Sequence, residues 1–561
     1  MAIKQTTTET SNMNAIKVHE YVSALRRNSL TEGVFDSAAS VDFVKSQTAG
    51  AYGAVVPEEL QHVYDQVDDK AYASINKALL DGVDAYRAQH GMECPADLIQ
   101  LAIHNAYSAT PEGQKAATGT FDSASNVHAD NLSLQPNRAV IAILTTLTEG
   151  IPIAHYLPAD IRSNEARLAI LSHQAGSTFG GYAEKDGLDG VSSGEAYISS
   201  SRVHTVKPSD TGDITGKVTK IQDTRTTCDQ EAGDLKLMRG RTLVYVQGRV
   251  VAGESTSTGS GNSPVAGAFK IAGTAYTLSG NINTDTGEFS FTTTPALPAT
   301  VPVTVEGFID FERAPNLTPT IRTEVEVFKL YANPWRVLTR ISPDARTQIS
   351  SELGLDPYSE SIMAIQAQFA NERHYKVLSM GLALGANNTE TFDFAAAKAH
   401  QDSSLPDVWR DFATPLNVVS QRMAEMTIDH GVTHLYVTKT VAAMLAGLPT
   451  TFFEPSGVTA RPGIYRLGRL FGRYEVYYTP KILQETETGG KITAQILCAG
   501  RATDVARNPI VLGDAVAPTV IPLLAGDDLQ QGAGFYARNF TCVNPHEPSS
   551  NGFGVIEVTN I

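Results

Sequence analysis

The chain has 561 residues, 42% of them hydrophobic and 19% charged, which is enough for two to four domains with real cores and excludes a disordered protein. Its 60 acidic against 44 basic residues leave a net charge of −16, which argues against a main surface built to grip phosphate backbones, while a local basic face stays compatible with it. Cys94, Cys228, Cys498 and Cys542 lie far apart without metal-ligand spacing, so neither a disulfide framework nor a zinc site is expected, and a reduced, cytosolic setting fits. No run of 18 apolar residues and no basic-then-apolar N-terminus occurs, so neither a membrane span nor a standard export signal is expected.

In chain order, residues 1 to 13 are polar and Thr-rich, and Val18, Tyr21, Val22 and Leu25 follow at helical spacing, which reads as an extended arm with a short amphipathic helix. Pro57-Glu58-Glu59 opens a helix that carries Leu60, Val63, Tyr64, Val67, Tyr72, Ile75 and Leu79 toward His90, and another follows Pro95. Thr110 to Gln135 reads as an exposed loop, and the apolar run Pro136 to Leu147 with Ile151-Pro152-Ile153 as a strand pair. Ala166 to Tyr182 is a strand entering a Gly-rich turn, and the polar text to Arg202 makes a long two-stranded loop with hardly any core. Phe179 and Tyr182 sit in that turn with no local cover, so a neighbouring subunit is expected to cover them.

From Val206 to Thr320 short alternating segments separated by turn residues predict an inserted β-sandwich or barrel, with a hairpin turn at Asp285-Thr286-Gly287 and a Gly/Ser/Thr loop at Gly253 to Ser263. Ile321 to Gly385 is the stretch around which the rest is organised. It reads as a long strand broken near Asn333-Pro334, a short helix begun by Ser342-Pro343-Asp344, and a longer one capped by Asp356-Pro357. Ile362, Ile365, Phe369, Val377, Met380 and Leu384 keep one apolar face, interrupted at Arg373. Roughly 40 helical residues would span about 60 Å, the length of a strut. Beyond it, a helix from Thr414-Pro415 to Gly431, strand HLYVT, helix KTVAAMLAG and strands around Gly472 and in KITAQILCAG predict a compact α/β domain over 391 to 510. The tail adds two strands expected to return to the spine.

Signals for chemistry are weak. Gly190-Val191-Ser192-Ser193-Gly194 matches a hydrolase nucleophile pattern, but its flanks are polar loop instead of a strand and a helix. His430 and His434 have metal-ligand spacing, but Gly431 breaks the helix that would align them. Asp65, Asp68 and Asp69 lie beside Lys70 on a solvated helical face. No phosphate-cradling glycine loop is present, and no catalysis, cofactor or metal is expected.

Taken together, the segments IPIAHYLPADI, EVEVFKLYANPWRVLTRIS, ELGLDPYSESIMAIQAQFANERH, GIYRLGRLFGRYEVYY and FYARNFTCVNPHEPSSNGFGVIEV resemble, in order and texture, the major capsid protein of tailed bacteriophages with the Hong Kong 97-type fold. The likeness is nearest to capsid proteins of large contractile-tailed phages and covers roughly 136 to 205 and 321 to 561. It implies an α+β fold divided into an N-terminal arm (1–56), a helical region and loop (57–135), an extended loop (136–205), an inserted all-β domain (206–320), a peripheral domain with the spine helix (321–390), an axial domain (391–510) and a return to the peripheral domain (511–561). It also implies a structural protein, not an enzyme, that self-assembles as hexamers and pentamers into an icosahedral or prolate head. Its implied partners are scaffolding, portal and decoration proteins and packaged double-stranded DNA held without sequence specificity, with assembly in the host cytoplasm and residence in the virion. Phe179, Tyr182 and Lys185 become the candidates for intersubunit contact. Some family members join subunits by a Lys–Asn isopeptide bond, for which Lys185 with Asn544 or Asn551 would be the pair here. An encapsulin-like shell protein and a multidomain virion surface adhesin are the rival readings.

Overall fold

The computed structural model describes residues 8–31, 33–48, 56–65, 67, 69–108, 131–221, 233–255, 261–352, 357–401, 404–523 and 530–561. The chain divides into two compact units, Leu171–Glu326 and a host unit made of Met1–Ile170 with Val327–Ile561.

Among the described residues the host unit begins with the helices Thr8–Ser29, Ser37–Thr48, Glu58–Tyr64, Asp69–His90, Ala96–Ser108 and Asn131–Thr148. The first is not an extended arm. Val18, Tyr21, Val22 and Leu25 are buried among the other helices, and the Tyr21 and Tyr64 hydroxyls hydrogen-bond at 3.0 Å. The amphipathic stripe read as an arm is thus a core stripe. The strand pair expected at Pro136 to Leu147 is the helix Asn131–Thr148. Ala139, Ile143 and Leu147, four apart, are its buried line, a period that the uniformly apolar text concealed. Gly82 lets this helix approach closely, since a Cβ there would lie 2.5 Å from Leu147 Cδ1. The expected loop from Thr110 lies outside the described residues as far as 130.

Two sheets follow. The first has four strands in the order Asn333–Ile341, Gln531–Val543, Ile510–Leu523 and His155–Tyr156, the last pair parallel. The second runs Thr389–Asp393, Phe553–Thr559, Lys491–Gly500, Val432–Val437, Tyr474–Tyr478, Tyr465–Leu470 and Phe453–Pro455, with Glu485–Thr488 paired to Lys491–Gly500. Helices Leu405–Asp411, Ala413–Thr427 and Lys439–Ala446 cover it with Trp409, Phe412, Leu416, Val419 and Val441, all buried. The expected return of the whole tail to the spine is only partly met. Ile510–Leu523 and Gln531–Val543 do join the spine strand, but Phe553–Thr559 enters the second sheet between Thr389–Asp393 and Lys491–Gly500. Five of its seven residues are buried in one nearly continuous apolar run, which needs cover on both faces, and only the interior of the second sheet offers that.

The spine helix Pro357–Gly385 joins the two sheets; its 29 residues span about 43 Å. Its first half lays Phe369 against Trp335 and Phe535 at ring separations of 5.0 and 5.4 Å. Its second half buries Val377 and Leu378 and packs Gly381 on the Phe553 ring. The shorter helix Pro343–Glu352 precedes it, and Asp356, the expected cap, lies outside the described residues.

Among its described residues the second unit holds an antiparallel sheet of eight strands in the order Ser201–Val206, Val303–Phe308, Leu243–Val246, Arg249–Glu254, Asn262–Ile271, Thr274–Asn283, Glu288–Thr294 and Asp213–Lys217. Alternation sends Phe289, Phe291, Val303 and Val305 into a single core. The end strands of the sheet come together, where the Thr219 N–H donates to His204 Nε2 at 3.1 Å. It is therefore one curled sheet, closer to a barrel than to two stacked sheets. The expected turn at Asp285-Thr286-Gly287 is present: Ile282 pairs with Phe289, Gly287 has φ +82°, and Asn283 Oδ1 accepts from the Asp285 and Thr286 amides.

Candidate functional site

Among the described residues no three His, Cys, Asp or Glu side chains gather as a metal site. Ser192 closes a short exposed turn, Gly190–Ser192, with no helix behind it, so the nucleophile geometry is not assembled. His430 is buried in a loop and His434 in the strand Val432–Val437, where the His434 Nδ1 shares a 2.7 Å hydrogen bond with Thr433. Cys94, Cys498 and Cys542 are free thiols, and Cys228 lies outside the described residues. No helix of the described residues is long and apolar enough to cross a membrane.

The three residues singled out for contact between subunits divide sharply. Phe179 is only 2% exposed, packed edge-on to Tyr197 at 6.1 Å and beside Phe311 at 6.3 Å. The Arg202 guanidinium sits 4.3 Å above its ring. Arg202 is itself fully buried, donating through Nε to Lys220 O at 3.0 Å and through Nη1 to Ser199 O at 2.8 Å, and this burial lowers its pKa to about 10. Tyr182 is 6% exposed, donates its hydroxyl to Ser192 O and accepts from the Glu195 amide at 3.1 Å. Both aromatics belong to the core of the β unit, which corrects the expectation that a neighbour must cover them. The polar loop concealed this because its cover, Tyr197, Arg202 and Phe311, is distant in sequence. Lys185 alone of the three is exposed, at φ +75°, its amide held by Ala175 O at 2.8 Å. Of its two expected partners, Asn544 is buried and commits its amide to Ala506 O and Asn508 O at 2.9 and 2.8 Å, whereas Asn551 stays partly exposed.

What the host unit leaves open is the spine. Helix Pro343–Glu352 has no buried residue, and Val327, Tyr331, Val337, Leu338 and Met363 are each roughly half exposed or more. A groove of about 520 Å³ runs between the strand Asn333–Ile341 and the spine helix, floored by Trp335, Ile365, Phe369 and Phe535 with Arg336 and Glu372 at its rim. Ile365 and Phe369 follow the period that the sequence displayed, but the text could not tell a core face from an uncovered one.

Beneath the spine lie buried ionic ties that sequence reading missed. Arg373, the break in the spine's apolar face, meets Asp514 at 3.0 Å, and Asn105 donates to the other Asp514 oxygen at 3.0 Å. Asp97 accepts from the Tyr156 amide at 2.8 Å and contacts His155 Nδ1 at 3.2 Å and Arg501 at 3.5 Å. Burial alone would raise the Asp97 pKa, but these partners outweigh it and hold the carboxyl below its ordinary range. The signal was a lone charge within an apolar run, as in IVLGDAV and ADLIQLAI.

No family model and no curated protein matches the chain. Among solved structures, the chain is similar to that of the icosahedrally averaged capsid of jumbo bacteriophage PhiKZ, at 10% identity and TM-score 0.35 over 72% of this chain and 91% of that one. It is similar to a structure from Microbacterium phage Oxtober96 at 12% identity and TM-score 0.29, over 60% of this chain and 94% of that one. The holo-SrpI encapsulin complex from Synechococcus elongatus is similar over 42% of this chain and 77% of that one, at 10% identity and TM-score 0.26.

Proposed function

We propose that this chain is a shell-forming structural protein, the major capsid protein of a tailed bacteriophage, without enzymatic activity. The observation that carries the reading is the uncovered spine. Two successive strands, a helix without a buried residue, a groove over Trp335 and Phe369 and the start of the spine helix leave Val327, Tyr331, Val337, Leu338 and Met363 exposed along one stretch of the chain. A monomer gains nothing from such a surface and risks aggregation, whereas a subunit tiled among copies of itself covers it. In this reading the first sheet with the spine helix is the peripheral domain and the second sheet the axial domain of a Hong Kong 97-type subunit. The 171–326 unit is an inserted β domain carrying part of the extended loop. Copies assemble as hexamers and pentamers with scaffolding, portal and decoration proteins, in the host cytoplasm, around DNA bound without sequence readout.

Electron microscopy and analytical ultracentrifugation of the chain expressed with its scaffolding protein test this. Closed particles are the expected result, and their nucleic-acid content separates a genome shell from an encapsulin-like compartment. Monomers and dimers alone under those conditions would refute the shell.

A further inference from the structure

Three histidines converge where the N-terminal helices and the spine helix meet the second sheet. His90, at the end of helix Asp69–His90, is 3% exposed, and its Nδ1 lies 2.9 Å from the Tyr477 hydroxyl. His434, fully buried, faces the same Tyr477 ring at 6.0 Å, as His90 does at 5.9 Å. Tyr477 stacks on Tyr436 at 5.3 Å, and the Tyr436 hydroxyl meets His374 Nε2 of the spine helix at 3.3 Å. One unbroken chain of rings thus ties two helical elements to two adjacent strands. The Nε2 atoms of His90 and His434 have no hydrogen-bond partner among the described residues.

The surroundings have no place for a proton. Arg466 and Arg461 face His90, Arg501 faces His434, and the histidines face one another. The nearby carboxylates are already committed: Glu475 to Arg466 and Arg469 at 2.6 Å each, and Asp97 to His155, Arg501 and the Tyr156 amide. Tyr86, 4.4 Å from the His90 ring, is a buried phenol whose ionisation burial suppresses. Burial, reinforced by these cations, lowers His90 and His434 to about 3, and burial lowers His374 to about 4.

The geometry points to an acid-released latch: His90, His374 and His434 hold the helix Asp69–His90 and the spine helix onto the second sheet while uncharged, and protonation parts them. The sign follows from linkage. Folded pKa values lie below the unfolded value near 6.5, so the stabilisation is complete above about pH 6.5 and is lost as the pH falls to about 4 for His374 and about 3 for His90 and His434. Each histidine contributes up to roughly a tenfold rise in the unfolding constant per pH unit across that window.

Hydrogen exchange of the full chain, kept unassembled and corrected for the intrinsic pH dependence of exchange, tests it. Between pH 7 and 4.5 the amides of 69–90 and 374–385 should lose protection before those of 432–437. Protection lost together throughout, or lost first in the sheet, overturns the latch. His90→Gln and His374→Gln should each delay the opening of 69–90 to lower pH. His430→Gln serves as a control: burial lowers His430 to about 4, but it lies outside this ring chain. It should flatten global acid unfolding without moving the opening of 69–90. Equal effects of all three variants on that opening would reduce the cluster to general acid sensitivity and overturn the proposal.

Discussion

Phe179→Ala separates a residue that holds its own subunit together from one that holds subunits to each other. The ring is 2% exposed within the chain, in contact with Tyr197, Phe311 and the buried Arg202 guanidinium. Truncating a buried phenylalanine costs about 3–5 kcal/mol. Loss of the ring under a desolvated cation accounts for up to about 2 of this. At 1.4 kcal/mol per decade, a cost of about 4 makes the open form of the β unit roughly a thousandfold more populated. The chain's two tryptophans, Trp335 and Trp409, both lie in the host unit, so fluorescence follows that unit alone. In a urea titration of the full chain, Phe179→Ala should leave the tryptophan transition in place. It should move the loss of β-sheet circular dichroism to lower urea and raise exchange in 201–206 and 303–308. Normal protection in those strands combined with failed assembly would refute the assignment and return Phe179 to a neighbour's surface.

Arg373→Ala leaves Asp514 buried without its cation and should cost about 3–5 kcal/mol in chemical denaturation, of which adding Asp514→Asn should recover a large part. Asn544→Ala strips the Ala506 and Asn508 carbonyls of their donor and should cost about 1–3 kcal/mol. For the same reason, mass spectrometry of denatured particles should find no Lys185–Asn544 isopeptide. Glu149 is raised to about 7, chiefly by burial, so the folded state favours its protonated form and loses stability as the pH rises through 7. Glu149→Gln should therefore raise the melting temperature above pH 7 and leave it unchanged below pH 4.5.

The sequence made the spine legible because its signals are local. The proline-acid helix start at 343–344 and the spacing of Ile365, Phe369 and Val377 each lie within one element and are found as read. The turn at Asp285-Thr286-Gly287 was legible for the same reason. Partnership between distant segments was not. The helix over Asn131–Thr148 looked like strands because solvent-facing positions such as Ile141 are also apolar, which erases the period. Phe179 looked uncovered because the groups that bury it arrive up to 132 residues later, at Phe311. Of the latch histidines only His434 fell in a pattern, and that one paired it with His430; positions 90, 374 and 434 are brought together by tertiary packing alone.

The strand Phe553–Thr559, inserted between Thr389–Asp393 and Lys491–Gly500, sets an order on synthesis. Residues 389–393 leave the ribosome with one ladder edge open and must wait for partners more than 160 positions later before that edge closes. The β unit is contiguous and faces no such delay, so it can finish folding while the host unit around it is still incomplete. During that interval the growing chain carries a finished module flanked by an exposed sheet edge. A holdase acting on this protein should therefore engage 389–500 on nascent chains and let go once 553–559 has emerged.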